Sequence, residues 1–125
     1  MVEDEEDVRT LIHEILKSTG YEVLEAGSAD EAINFCRNQN NSVNLILTDV
    51  IMPKMNGPEL VKKCAEFRKD LKILYLSGYT NNTIINHGVL ETGVAFLQKP
   101  FTAENLLNKV WEALNSSSHD GWKKN

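Results

Sequence analysis

The chain has 125 residues, a length for one domain whose core needs neither disulfide nor structural metal. Its formal net charge is −5, so no basic surface points to nucleic acid. No apolar run approaches the roughly 18 residues of a membrane span, the acidic start is not that of a secretory signal, and Cys36 and Cys64 lack metal-ligand spacing, so both read as free, packed thiols in a cytoplasmic chain without membrane contact.

Helical and strand patterns alternate, which predicts an α/β fold around a parallel sheet. Val8, Leu11, Ile12, Ile15 and Leu16 recur at helical spacing, and Gly20 stands where a glycine ends a helix. Residues 21–26 read as a short strand. Ser28 and Glu31 have the spacing of a capping box and open a second helix, with Ala32, Ile33 and Cys36 on its apolar face. Residues 43–48 form a near-continuous apolar run, interrupted early by Asn44, which suits a strand buried on both faces. That run ends at Asp49. Gly57 and Pro58 start a third helix, with Pro58 as its N1 proline and Leu60, Val61, Cys64 and Phe67 on its buried side. A strand over 73–76 ends at Ser77 and Gly78. Residues 81–87 predict a weak helix, because asparagine, threonine and β-branched isoleucine have modest helix propensity. A last strand covers 94–97. Thr102 caps a final helix with the stripe Leu106, Leu107, Val110, Trp111 and Leu114. Residues 115–125 form a polar, serine-rich tail, expected to be disordered or foreign to the domain. At the other end, a parallel α/β domain should open with a strand of about five residues. Only Met1 and Val2 precede the acidic run Glu3, Asp4, Glu5, Glu6 and Asp7, so the first strand is expected to be cut short.

In an open parallel sheet, ligands bind beyond the carboxyl ends of the strands. Here those ends carry Glu3 and Asp4, then Asp49, then Ser77, then Lys99. Carboxylates crowded at one edge repel, and at least one pKa rises. A hard divalent cation relieves this, and Mg2+ is well served by two carboxylates, a backbone carbonyl and waters. A carboxylate beside such an ion can attack a phosphoryl group, with positioning and charge neutralisation doing most of the catalysis. An ammonium can pair with a phosphoryl oxygen, and a hydroxyl can bond another. A merely capping or surface aspartate would not be expected to end a buried apolar strand. For Glu5, Glu6 and Asp7 the simpler reading suffices, since acidic side chains favour the first turn of a helix. His13, His87 and His119 form no ligand set by spacing, and His13 is expected on an exposed helix face.

Four motifs stand in order at the expected strand ends. Val2-Glu3-Asp4-Glu5, Leu47-Thr48-Asp49-Val50-Ile51-Met52-Pro53 with Asn56-Gly57, Leu76-Ser77-Gly78-Tyr79-Thr80 and Gln98-Lys99-Pro100-Phe101 resemble the motifs of response-regulator receiver domains. The resemblance covers residues 1–114. It implies a flavodoxin-like, doubly wound (βα)5 sandwich with parallel strand order 2-1-3-4-5. It implies that Asp49 is the phosphoacceptor, and that Glu3, Asp4, Asp49 and the backbone carbonyl of Ile51 hold Mg2+ or Mn2+. Ser77 and Lys99 would bind the phosphoryl group, Ser77 as the switch hydroxyl. Phe96 stands at the switch aromatic and lacks a hydroxyl, so its inward state would rest on packing alone. Glu3 stands where aspartate is commoner, and its longer arm bears on the metal geometry. The Lys99–Pro100 peptide is expected to be cis, an uncommon isomer.

The implied function is a signalling switch of a two-component phosphorelay. A phosphohistidine of a histidine kinase or of a histidine phosphotransfer domain would donate to Asp49. The surface formed by the helix at 81–87, the strand at 94–97 and the final helix would then change, and a homodimer through that surface is one option. Such a domain is a phosphoacceptor with self-catalysed transfer and slow autodephosphorylation, not an enzyme in the ordinary sense, and touches neither nucleic acid nor membrane directly. The combination of Leu76 to Thr80 with Gly93 to Phe101 resembles receivers at the C-terminus of bacterial hybrid sensor kinases, with a stand-alone regulator as the alternative. An aspartate-nucleophile phosphatase is the competing enzyme class. It would want a second aspartate two residues after the nucleophile, where this chain has Ile51. Flavodoxin-type cofactor binding would want a phosphate-cradling loop where Glu3 to Asp7 would repel phosphate.

Overall fold

The structure, a computed structural model, describes residues 1–3, 5–38, 43–51, 54–68, 71–78 and 95–115. The helix expected over 81–87 and the tail beyond Asn115 lie outside these residues. In chain order the described elements are α1 (Glu6–Ser18), α2 (Ala29–Arg37), β1 (Leu45–Asp49), α3 (Gly57–Ala65), β2 (Lys72–Ser77), β3 (Phe96–Gln98) and α4 (Ala103–Asn115).

The three strands pair in parallel in the order β1-β2-β3. Asp49 is level with Leu76, and Ser77 with Gln98. The opening residues join this sheet through Val2, which bridges in parallel to both Ala26 and Thr48. Val2 N donates to Leu47 O at 2.7 Å and Glu3 N to Ala26 O at 3.1 Å. Of the strand expected over 21–26, only the bridge at Ala26 is present. Among the described residues the ladder beside it has a single rung, with Val2 as the bridging partner of Ala26.

Helices cover both faces of the sheet. Ala32 and Cys36 of α2 and Leu60, Val61 and Cys64 of α3 pack with Ile46 and Tyr75. Ile12 and Leu16 of α1 and Leu106, Val110 and Ala113 of α4 pack with Leu47, Leu74 and Leu76. Successive strand residues point to opposite faces. With both faces buried, β1 and β2 therefore read as continuous apolar runs. Leu60, Leu74 and Leu76 are fully buried, and each such burial stabilises by about 1.5–3 kcal/mol. Cys36 and Cys64 are buried free thiols. No described helix is long and apolar enough to cross a membrane.

Helix ends follow local chemistry, with some departures from expectation. α1 stops where Gly20 takes φ 95°, and the N–H groups of Thr19 and Gly20 return to Leu16 O and Lys17 O. Ser28 Oγ accepts from Glu31 N at 3.3 Å, but the Glu31 carboxylate accepts from Gly27 N, so the box at Ser28 is only half made. The complete box is at Asn56, which exchanges bonds with Glu59. Gly57 is therefore the first helical residue and Pro58 the second. Thr102 Oγ1 accepts from Asn105 N at 3.0 Å. Leu11 and Trp111 are 52% and 61% exposed. Each lies one residue from a buried position, Ile12 or Val110, and so about 100° around its helix from the core. Phe67 is also partly exposed and carries the Arg37 guanidinium 5.6 Å from its ring centroid.

Candidate functional site

The carboxyl ends of the strands bring three charged side chains together. Val2 docks beside β1, so the next residue, Glu3, emerges at that end. Asp49 is the last residue of β1, and Lys99 follows β3. Lys99 Nζ lies 2.8 Å from Glu3 Oε1 and 2.8 Å from Asp49 Oδ1. Glu5 Oε1 stands further off, at 3.8 Å. Lys99 N donates to Ser77 O at 2.7 Å, tying the lysine to the end of β2. The Lys99–Pro100 peptide is cis.

The surrounding backbone is close-fitted. Glu3 Oε2 accepts from Glu5 N at 3.0 Å. Val50 N donates to Leu76 O, and Gly57 N donates to Val50 O at 2.6 Å. A Cβ on Gly57 would run into the Asp49 carbonyl, so glycine lets α3 begin against the site. In the intervening loop Lys54 takes φ 71°, a left-handed conformation unusual for a side-chain-bearing residue. Among the described residues the buried polar ones are Glu3, Thr48, Asp49 and Ser77, all near this edge.

Burial and two facing carboxylates set the electrostatics. Burial first, and the Glu3 carboxylate second, push the Asp49 carboxyl up to about 7, against the pull of Lys99. Burial also works to raise Glu3, but its contacts with Asp49, Lys99 and the Glu5 N–H outweigh this and hold it below its ordinary value. Burial would lower Lys99, yet its two carboxylate partners outweigh that and raise it. A proton shared by the acid pair therefore rests on Asp49. Such an aspartate gains most from a further positive charge, because its ionised form is the costly one.

The other expected site residues are distributed as follows. Ser77 is buried at the end of β2, one residue past the Leu76 that is level with Asp49. Ile51 lies two residues beyond Asp49, with its side chain 53% exposed. Phe96 opens β3, level with Tyr75, and packs half-buried against the core beneath α2 and α3. Asp4 lies outside the described residues. Among the described residues no group of three or more His, Cys, Asp or Glu side chains is arranged to hold a metal. A trio unassigned from sequence stands beside the site. Arg9 Nη1 donates to Glu3 O at 2.8 Å, Arg9 Nε is 3.7 Å from Glu25 Oε1, and His13 Nδ1 is 2.9 Å from Glu25 Oε2. His13 is thus half-buried rather than exposed. The available signal was a single arginine two residues after a run of acids.

The site thus sets a buried aspartate at a parallel strand's carboxyl end, faced by an ammonium and a second carboxylate. Residues 1–111 match the response regulator receiver domain family, and the chain belongs to it. The chain is 34% identical over 114 residues to the sensor kinase CckA of Brucella abortus (strain 2308), a match covering 91% of this chain and 12% of that kinase. It is 30% identical over 114 residues to the response regulator receiver protein CpdR of the same organism, covering 91% of this chain and 93% of that protein. The crystal structure of the receiver domain from the hybrid histidine kinase CckA superposes with a TM-score of 0.75 at 36% identity, covering 90% of this chain and 94% of that one. The chain is thus a receiver domain related to those of hybrid kinases, a phosphoacceptor rather than a conventional enzyme.

Proposed function

We propose that Asp49 accepts a phosphoryl group from the phosphohistidine of a histidine kinase or histidine phosphotransfer domain. The observation that carries this reading is the buried Asp49 carboxylate, 2.8 Å from Lys99 Nζ. An Asp49 oxygen attacks phosphorus in line as the phosphorus–nitrogen bond to histidine breaks, and the leaving imidazole nitrogen takes up a proton. Lys99, until then bonded to Asp49, is placed to pair with a phosphoryl oxygen. Ser77, from the end of β2, is the hydroxyl proposed to bond another. Phe96 is the aromatic proposed to follow it inward, its half-buried place against Tyr75 leaving packing as its means of response.

With both carboxylates ionised, two of them facing one ammonium leave a net negative charge among these groups, and this donor chemistry fits a hard divalent cation. Glu3, Asp4, Asp49 and the backbone carbonyl of Ile51 are the proposed ligands. Bound Mg2+ would supply the charge neutralisation that lets Asp49 ionise and that stabilises phosphoryl charge in transfer. Both Glu3 oxygens are already engaged, by Lys99 and by the Glu5 N–H. Direct ligation by Glu3 would thus displace one of them, whereas ligation through water would not.

The finer architecture proposed is the five-stranded order 2-1-3-4-5 within residues 1–114. The two bridges of Val2 support it, because they set the opening segment between Ala26 and β1. The proposed output is a change at the surface formed by residues 81–87, β3 and α4, which would also serve a homodimer. The parent reading is the C-terminal receiver of a hybrid kinase, with a stand-alone regulator as the alternative, and the relatives offer one example of each. Phosphotransfer profiling against purified histidine kinases of the source organism tests this. One kinase should label the chain far faster than the rest, and uniformly negligible transfer would contradict the reading.

A further inference from the structure

We propose that Arg9 is a positioning residue for this site, its guanidinium pinning the main-chain carbonyl of Glu3 and so fixing the backbone of Glu3 at the strand end. The inference rests on the phosphoacceptor reading above. Arg9 lies in the first turns of α1 and reaches back across six residues, with Nη1 donating to Glu3 O at 2.8 Å. Its own N–H bonds Glu5 O at 2.9 Å, so backbone and side chain brace the same turn from two sides. The guanidinium is itself aimed by Glu25, whose other oxygen lies against His13, one helical turn further along α1.

Gly27 completes the arrangement. A Cβ there would stand 2.8 Å from Arg9 Nη1, while the next nearest group, the Glu31 carboxylate, would be at an ordinary 3.5 Å. The Gly27 backbone is not left-handed. A side chain at this point would therefore meet the Arg9 tip, which would have to shift away from its place on Glu3. The Glu3 carboxylate is held separately, by Lys99 and the Glu5 N–H. Loss of Arg9 would release the carbonyl of Glu3 and leave its N–H bond to Ala26 O and its side-chain bonds available. A guanidinium fixing a backbone carbonyl acts through geometry, as outer-shell partners of metal ligands do.

The test uses the unmodified chain and three variants, Arg9→Ala, Arg9→Lys and Gly27→Ala. Two curves are measured against Mg2+ concentration: incorporation from a small acyl phosphate, and the shift of the melting midpoint without phosphodonor. Arg9→Ala should raise half-saturating Mg2+ about 10- to 100-fold in both curves, the usual scale for an outer-shell partner. Its rate at saturating Mg2+ should stay within about threefold of the original. Gly27→Ala should move the curves the same way by displacing the guanidinium, and Arg9→Lys should recover part of the loss. If Arg9→Ala fails to fold, Gly27→Ala decides. Unchanged Mg2+ dependence in the folded variants, or a fall in maximal rate alone, overturns the positioning role while Asp49 labelling of the unmodified chain keeps the underlying reading. Failure of the unmodified chain to be labelled overturns that reading instead.

Discussion

At the carboxyl ends of β1 and β2 the molecule buries Glu3, Thr48, Asp49 and Ser77, and sets two carboxylates on one ammonium. At the amino end of β1 it has a cavity of about 330 Å³ whose lining includes Leu16, Val23, Phe35, Val43, Leu45 and Leu47. Both regions hang on the same strands, yet they oppose each other energetically. The apolar contacts among these residues stabilise. Burying carboxylates at the other end costs several kcal/mol unless each is paired, and one lysine is shared between two. The difference teaches that the carboxyl edge carries an electrostatic cost of crowded carboxylates that a bound cation would relieve. Changes made to the apolar framework and to the acidic edge should therefore separate stability from chemistry.

The largest effect should come from the framework. Leu74 is fully buried among Leu47, Leu76 and Leu106. Leu74→Ala should cost about 2–5 kcal/mol in urea unfolding, while the fraction still folded remains able to take label. Next is Lys99→Met, which leaves Glu3 and Asp49 facing each other without a cation. It should cost about 2–3 kcal/mol at a pH of about 7.5 and less in mild acid, where Asp49 takes a proton, and it should impair labelling throughout. An equal cost at both pH values would contradict the shared-lysine account.

The same cluster fixes a pH dependence for the metal-free protein. Asp49 is raised on folding, so its contribution is fully present below its ordinary value near 3.8 and is lost as pH climbs toward about 7. Glu3 is lowered, so its contribution is present above about 4.5 and fades only at lower pH. Urea midpoints should fall from mild acid to neutrality, Mg2+ should oppose the fall, and Asp49→Asn should flatten it. A midpoint that rises over this range would break the comparison.

Smaller effects lie in the loop and helix beside the site. Asn56→Ala removes one half of a capping box and should cost about 1 kcal/mol by urea unfolding. Lys54→Gly relieves a left-handed residue and should gain up to about 1 kcal/mol, set against the extra freedom glycine brings to the unfolded chain. A loss on that substitution would mean the lysine side chain matters more than its backbone.

Much of this was legible because buried parallel strands announce themselves. The apolar run before Asp49, its end at a charged residue, and the glycine closing α1 all follow from local rules. Asp49 and Ser77 could be placed at strand ends for the same reason. The strand expected over 21–26 fared differently, since a strand exists only through its neighbours and Val2 provides a single rung. Spacing also could not choose between two similar cap patterns. Ser28 and Asn56 each precede a glutamate by three residues, and the box closes only at Asn56. The Arg9 clamp was hidden because its partner is a backbone carbonyl, which leaves no mark in side-chain patterning. Trp111 matched a stripe by periodicity, but one residue's rotation turned it to solvent.

The central claim is that the costly carboxylate at the end of β1 exists to be phosphorylated. Its most direct test is intact-mass measurement after incubation with a small acyl phosphate and Mg2+, on the unmodified chain and on Asp49→Asn. The account predicts a gain of one phosphoryl group in the unmodified chain, mapped to Asp49, and none in the variant. An equal gain in Asp49→Asn, or a phosphoryl group mapped elsewhere, would contradict it.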